Sequence, residues 1–345
     1  MRSTVRNILL SLLVGGLFLW LAIRNVPFDL LFGYMQGISY GWIIPYSVVA
    51  LLSHFLRAER WRLLIRHENK PPARASLFAG VMFGYLVNYA VPRLGEISRC
   101  VYVAKKEDLS GTNLVGTVIL ERVIDMLIML ILIAFVGLVL ISDPEVLSML
   151  LGEETRARLQ SLLHLRYLMA GLVALPALLL LGYVFVLLIR KNETASPMVN
   201  KVLNQLRSGG ALFMDGLFAI RHLRQWPYFT GLTILIWAGY VIMAYIPFVA
   251  FNLHEDYGLG LEAALVIMTI SSVGVALPSP GGIGTYHWFV RQGLLVLYGV
   301  PAANALAYAF VTHAVMMGVV VVTTPVILVW NKGLKRKNTN RSANL

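Results

Sequence analysis

Glu121, Arg122 and Asp125 lie inside an otherwise apolar run spanning 114–140. At a rise of about 1.5 Å per helical residue from Gly111, they sit roughly 10–15 Å along a helix. Glu121 and Asp125 are four apart and share a face, and the three-residue step from Arg122 to Asp125 allows a pair. In hydrocarbon, each such charge costs about 2.5–3.5 kcal/mol, so a partner or water must accompany it. The sequence offers Arg93, Glu96 and Arg99 in the segment Asn88-Tyr-Ala-Val-Pro92-Arg93-Leu-Gly95-Glu96-Ile-Ser-Arg99. Two outcomes stay open. The charges staple one element to another, as buried ion pairs do. Or one arginine keeps its planar fork available for a bidentate phosphate contact.

A second segment, Val275-Ala-Leu-Pro278-Ser-Pro280-Gly281-Gly282-Ile-Gly284, interrupts apolar sequence in the other half. Gly281, Gly282 and Gly284 permit close backbone approach, and the N–H groups before a helix at Thr285 suit an anion. The alternative is plain chain reversal. His287 could titrate near neutrality, or simply pack. His54 and His313 lack metal-like spacing and receive no role. Trp61, between Arg60 and Arg62, reads as an interfacial anchor, with Arg60 offering headgroup contact as the lesser expectation.

The elements that must carry these residues belong in a membrane. Apolar residues make up 58% of the 345 and charged ones only 13%, against about one quarter charged in soluble domains. The net charge of +12 follows from Lys and Arg flanking apolar runs, as membrane orientation requires, so no nucleic-acid partner is expected. The single Cys100 excludes an internal disulfide. Apolar spans are predicted at 8–23, 42–56, 114–140, 167–189, 228–253 and 305–330. The first resembles a signal peptide, but no small-x-small cleavage site follows, so an uncleaved helix is expected. Apolar runs at 77–91 and 261–277 stop at the two breaks, and shorter continuations cover 97–104 and 286–297. Near 197–225, apolar residues at helical spacing alternate with Lys201, Arg207, Arg221 and Arg224, the pattern of an interfacial helix.

Placing the basic segments 57–74, 190–224 and 332–341 in the cytoplasm makes each half read span, span, hairpin, span, in opposite orientations. The predicted fold is an all-α polytopic membrane protein with two inverted-topology repeats, each holding a re-entrant broken-helix hairpin. The first repeat covers 1–141, an external connector 142–166, the second repeat 167–331, and a basic, unstructured cytoplasmic tail 332–345. Both termini then face the cytoplasm. Lipid offers no partner to non-helical backbone, so such breaks line protein or a wet cavity, and paired broken segments point to a transport site. The leading expectation is a carrier moving a phospholipid or lipid-linked intermediate between leaflets. The runners-up are a transferase with a lipid-phosphate donor, using Glu96 or Asp125 as base, and an accessory subunit of a lipid synthase. No nucleotide-binding loop is present, and no cofactor or metal is expected.

These residues resemble a known family. Arg57-x-x-Arg60-Trp61-Arg62, the Asn88…Arg99 segment, Glu121-Arg122-x-x-Asp125 and Pro280-Gly281-Gly282-Ile283-Gly284 are similar to the lysylphosphatidylglycerol synthase transmembrane-domain family, over about 8–330. The resemblance implies a flippase-like region without the soluble aminoacyl-transferase domain, in the cell membrane of a prokaryote. It implies an anionic or modified phospholipid as substrate and a second copy or a lipid synthase as protein partner. Where the family often carries Glu, this chain has His287, which bears on the charge of the headgroup.

Overall fold

The structure, a computed structural model, describes residues 2–65, 71–109, 111–142, 223 and 225–343. The predicted span at 167–189, the connector at 142–166 beyond Ser142 and almost all of the interfacial helix at 197–225 lie outside the described residues. The chain divides into one unit formed by Met1–Val136 and Gly216–Leu345 and another formed by Gly137–Asp215. The account below concerns the first.

All regular structure among the described residues is helical. Helix α1 (Arg2–Ile23) stops at Asn25, whose φ of 62° no helix continues, and Pro27 then opens α2 (Phe28–Gln36). The two meet at 89°, so the predicted outward loop at 24–41 contains a short helix. Helix α3 (Ile43–Leu64) runs two turns beyond the predicted 42–56 span. Helices α4 (Arg74–Ala90) and α5 (Leu94–Glu107) flank the Pro92 break, and α6 (Gly111–Ser142) follows. Helix α7 (Trp226–Ala250) and a single turn (Leu253–Asp256) lead to α8 (Leu261–Ala276). The Pro280–Gly282 turn, α9 (Thr285–Tyr298) and α10 (Ala302–Ala343) complete the chain. The tail read as unstructured instead continues α10, because a helix already nucleated by an apolar span propagates cheaply through Lys- and Arg-rich sequence.

Among the described residues three helices are long and apolar enough to cross a membrane: Tyr40–Leu64, Trp226–Ala250 and Ala302–Gly333; the bent pair of α1 and α2 would make four. Helix α6 also has the length, 32 residues, and carries Glu121, Arg122 and Asp125 in its first half.

The two breaks make antiparallel helix pairs. In the first, Gly80 and Gly84 on α4 face Val103, Arg99 and Gly95 on α5, a small-xxx-small contact that lets backbones approach without a side chain between them. In the second, Gly274 on α8 lies against Thr285 and Tyr286, and Gly293 on α9 against Ile267 and Ile270. The tips meet. A Cβ at Gly281 would stand 3.3 Å from the Tyr89 ring at the end of α4. Helix α10 packs against α4 and α9, and the Thr324 hydroxyl donates to the Met82 carbonyl across the first contact. One apolar core joins Trp42, Tyr46, Phe248 and Tyr308, and another gathers Trp61, Leu77, Val81, Val103 and Leu114 around the first hairpin.

Candidate functional site

Two short ladders of opposite charge face each other. Arg57 and Arg60 are three apart on α3, and Glu121 and Asp125 four apart on α6, so each pair presents one face. Arg57 Nε lies 2.7 Å from Glu121 Oε1 and its Nη2 2.5 Å from Asp125 Oδ2. Arg60 Nη2 lies 2.6 Å from Asp125 Oδ1 and 3.6 Å from Glu121 Oε1. From α5, Arg99 Nη2 donates to Glu121 Oε2 at 2.8 Å. Arg57 Nη1 donates to the Tyr240 hydroxyl on α7 at 3.1 Å.

Aromatic rings complete the setting. The Arg99 guanidinium lies 4.8 Å from the centre of the Trp61 ring, and that of Arg60 5.8 Å from Phe229. Such faces attract cations where water is excluded. Trp61 is wholly buried and donates to Thr117 Oγ1 at 2.8 Å. It is therefore a core residue, not the expected interfacial anchor.

Exposure grades outward. The Glu121 and Arg60 side chains are 0% exposed, Asp125 16%, Glu96 27% and Arg122 41%. Arg122 pairs with Glu96 at 3.1 Å, not with Asp125 as the three-residue spacing suggested. The reason is angular: Arg122 is turned about 100° from Glu121 on the helix, and that turn aims it at hairpin one. Asn88 accepts the Gly95 N–H at 2.7 Å and reaches Glu96 at 3.4 Å. It fastens the two arms where the backbone is broken. Arg93 is exposed at the tip in the left-handed region, φ 68°, a conformation costing a non-glycine residue roughly 1–2 kcal/mol. Among the described residues it forms no ion pair, so the expected link from Arg93 to the α6 charges is not made.

The core therefore holds three guanidiniums, Arg57, Arg60 and Arg99, against two carboxylates, Glu121 and Asp125. Arg122 and Glu96 cancel at its edge. Among the described residues one positive charge is left over, and Arg60 Nη1 and Nε and Arg99 Nε have no acceptor. A buried donor without a partner costs about 1–3 kcal/mol, more when charged. An anion with several oxygens would supply what is missing.

The second hairpin tip is more closed. The Gly284 N–H donates to His287 Nδ1 at 3.2 Å, and the Ser279 and Thr285 hydroxyls lie 2.7 Å apart. Helix α1 covers this turn, with Gly15 against Ser279, Pro280 and the Ile283 carbonyl. The α9 N-terminus lies against α1 at Gly284, and Thr285 and His287 are buried, so this packing presents no open anion cradle there. Gly282 is buried too, whereas Gly281 borders Tyr89 and Met317 at the meeting of the tips. His287 stacks on His313 at 4.8 Å. His54, left without a role, packs 4.4 Å from the Tyr85 ring near the arginines.

Sequence reading missed Arg57 as a site residue, and Tyr240 with it. The signal was present: Arg57 and Arg60 share a helical face. The run of Arg57, Arg60, Arg62 and Arg66 looked instead like a membrane flank.

The family described as the lysylphosphatidylglycerol synthase TM region matches the chain over residues 8–323. No curated protein and no solved structure matches it. The chain belongs to that family.

Proposed function

We propose that this member of the lysylphosphatidylglycerol synthase transmembrane family is a carrier that moves a phospholipid, or a lipid-linked intermediate, between leaflets. The observation that carries this reading is the guanidinium charge of Arg57, Arg60 and Arg99, unmatched among the described residues, beside the broken end of a helical hairpin. A lipid phosphate brings negative charge to a cation-rich site and more acceptor oxygens than a carboxylate has, which suits guanidinium donors left without an acceptor among the described residues. Arg93, strained and exposed at the tip, is the first cation it would meet. Asp125 already accepts hydrogen bonds from Arg57 and Arg60 and Glu96 is ion-paired with Arg122, which favours a positioning part for them over that of a general base in a transferase.

The meeting of the two hairpin tips supports an inverted repeat of α1, α3, the α4–α5 pair and α6 with the corresponding elements of the second half. On that reading, cysteine labelling in a Cys100→Ala background finds positions near Lys106 cytoplasmic and positions near Asn25 and Glu255 external. Labelling of Lys106→Cys from outside would make the first hairpin a full span and end the repeat.

Purified protein in liposomes with fluorescent phospholipids tests the function. Arg57→Lys and Arg60→Lys keep the charge but lose the fork that holds two oxygens at once. Per folded molecule, transport by each should fall at least about tenfold, which corresponds to about 1.4 kcal/mol in the barrier. A new lipid product in place of movement would establish the transferase. Unchanged transport in both variants would remove the cluster from the path.

A further inference from the structure

Asp125 and Glu121 share the same arginines but not the same surroundings. Glu121 is wholly buried and touched by Arg57, Arg60 and Arg99. Asp125 stands at the rim, 16% exposed. Its two oxygens are divided, Oδ2 to Arg57 at 2.5 Å and Oδ1 to Arg60 at 2.6 Å. Two oxygens on one centre, each taken by a separate guanidinium, is how a phosphate would engage the same two side chains. Any anion coming from the rim meets Asp125 first. It cannot take the Nη2 donors of both Arg57 and Arg60 while that carboxylate holds them.

We infer that Asp125 is a displaceable stand-in for the substrate's phosphate: it holds Arg57 and Arg60 in place when the site is empty and yields them when a phospholipid enters. This rests on the carrier reading and adds an exchange step to it. With Asp125 bound, the empty core carries one surplus positive charge among the described residues. When a phosphodiester displaces it, the arginines keep two acceptor oxygens, and Asp125 swings out toward the rim. Competition between a tethered anion and the cargo keeps binding weak enough for release, as multi-step conduction requires. Glu121 has no such freedom, since moving it would strip three arginines at once.

The test uses full-length protein in detergent and dihexanoyl phosphatidylglycerol as the soluble probe. Asp125→Asn keeps the shape but removes the competing charge. The probe should bind about tenfold tighter by calorimetry, equivalent to about 1.4 kcal/mol, while liposome transport slows because release becomes limiting. Equal or weaker binding by Asp125→Asn would overturn the inference. Wild-type protein gives a second measurement that needs no variant. Saturating probe should raise labelling of Asp125 by the membrane-permeant reagent dicyclohexylcarbodiimide, read by peptide mass spectrometry, and leave Glu121 unlabelled. Labelling of Asp125 that is unchanged or suppressed by the probe counts against the exchange. If wild-type protein binds and transports the probe's long-chain counterpart but both Asp125 results are negative, the exchange alone fails. If wild-type protein neither binds nor moves phospholipid, the carrier reading fails with it.

Discussion

Glu121→Gln should cost about 3–5 kcal/mol of stability and leave little folded protein in the membrane. The glutamine keeps the shape and loses the charge, so Arg57, Arg60 and Arg99 would share only Asp125. Breaking a buried ion cluster from one side leaves charges that neither water nor lipid can solvate, and removal of one partner typically costs that much. The contact lengths of 2.7 and 2.8 Å to Arg57 and Arg99 show a carboxylate used on both oxygens. Asp125→Asn, at the partly exposed rim, should cost clearly less. Adding Arg99→Gln to Glu121→Gln removes a positive charge along with the negative one. The double variant should therefore lose less than the sum of the singles, with a coupling of about 1–3 kcal/mol. Thermal unfolding in detergent measures the cycle. Additive losses would mean that Arg99 and Glu121 do not interact.

Gly95→Ala and Gly284→Ala should each abolish transport and sharply lower the folded yield. For Gly95 the local effect points the other way, since alanine favours a helix over glycine by about 0.8–1 kcal/mol. The tertiary effect decides. A Cβ at Gly95 would overlap the Gly84 carbonyl oxygen and the Asn88 side chain, and the carbonyl belongs to a helix backbone that cannot rotate away. Overpacking alone costs about 1–3 kcal/mol, and displacing Asn88 also loses the 2.7 Å bond that fastens the break, worth about 1 kcal/mol. Gly284 adds backbone strain: its φ is 84°, and a Cβ would overlap the Gly15 carbonyl oxygen on α1. Gly16→Ala and Gly318→Ala are the controls, because a Cβ at either meets nothing within 4 Å. They should be neutral or slightly stabilising. Normal folding and transport by Gly95→Ala would show that hairpin one is not packed as described.

What the sequence by itself determined is what depends on neighbours along the chain. Apolar run length located α1, α3, α6, α7 and α10, and proline with glycine located both breaks, because helix formation and its interruption are local. Its boundaries erred where polar residues extend a helix past the apolar run, as Arg57–Leu64 extend α3 and Lys332–Ala343 extend α10. The presence of buried charge on α6, and the need for arginine partners there, was legible for the same reason: a charge in an apolar run must be answered. Which arginines answer it was not. Glu121 meets Arg57 and Arg99, 64 and 22 positions away in the chain, and only the packing of α3, α5 and α6 sets those distances. The same packing turned Arg122 from Asp125 toward Glu96, drew Trp61 from the interface into the core, and closed the α9 N-terminus under α1. A helix fixes which residues share a face, but the neighbour that face meets is a property of the folded chain.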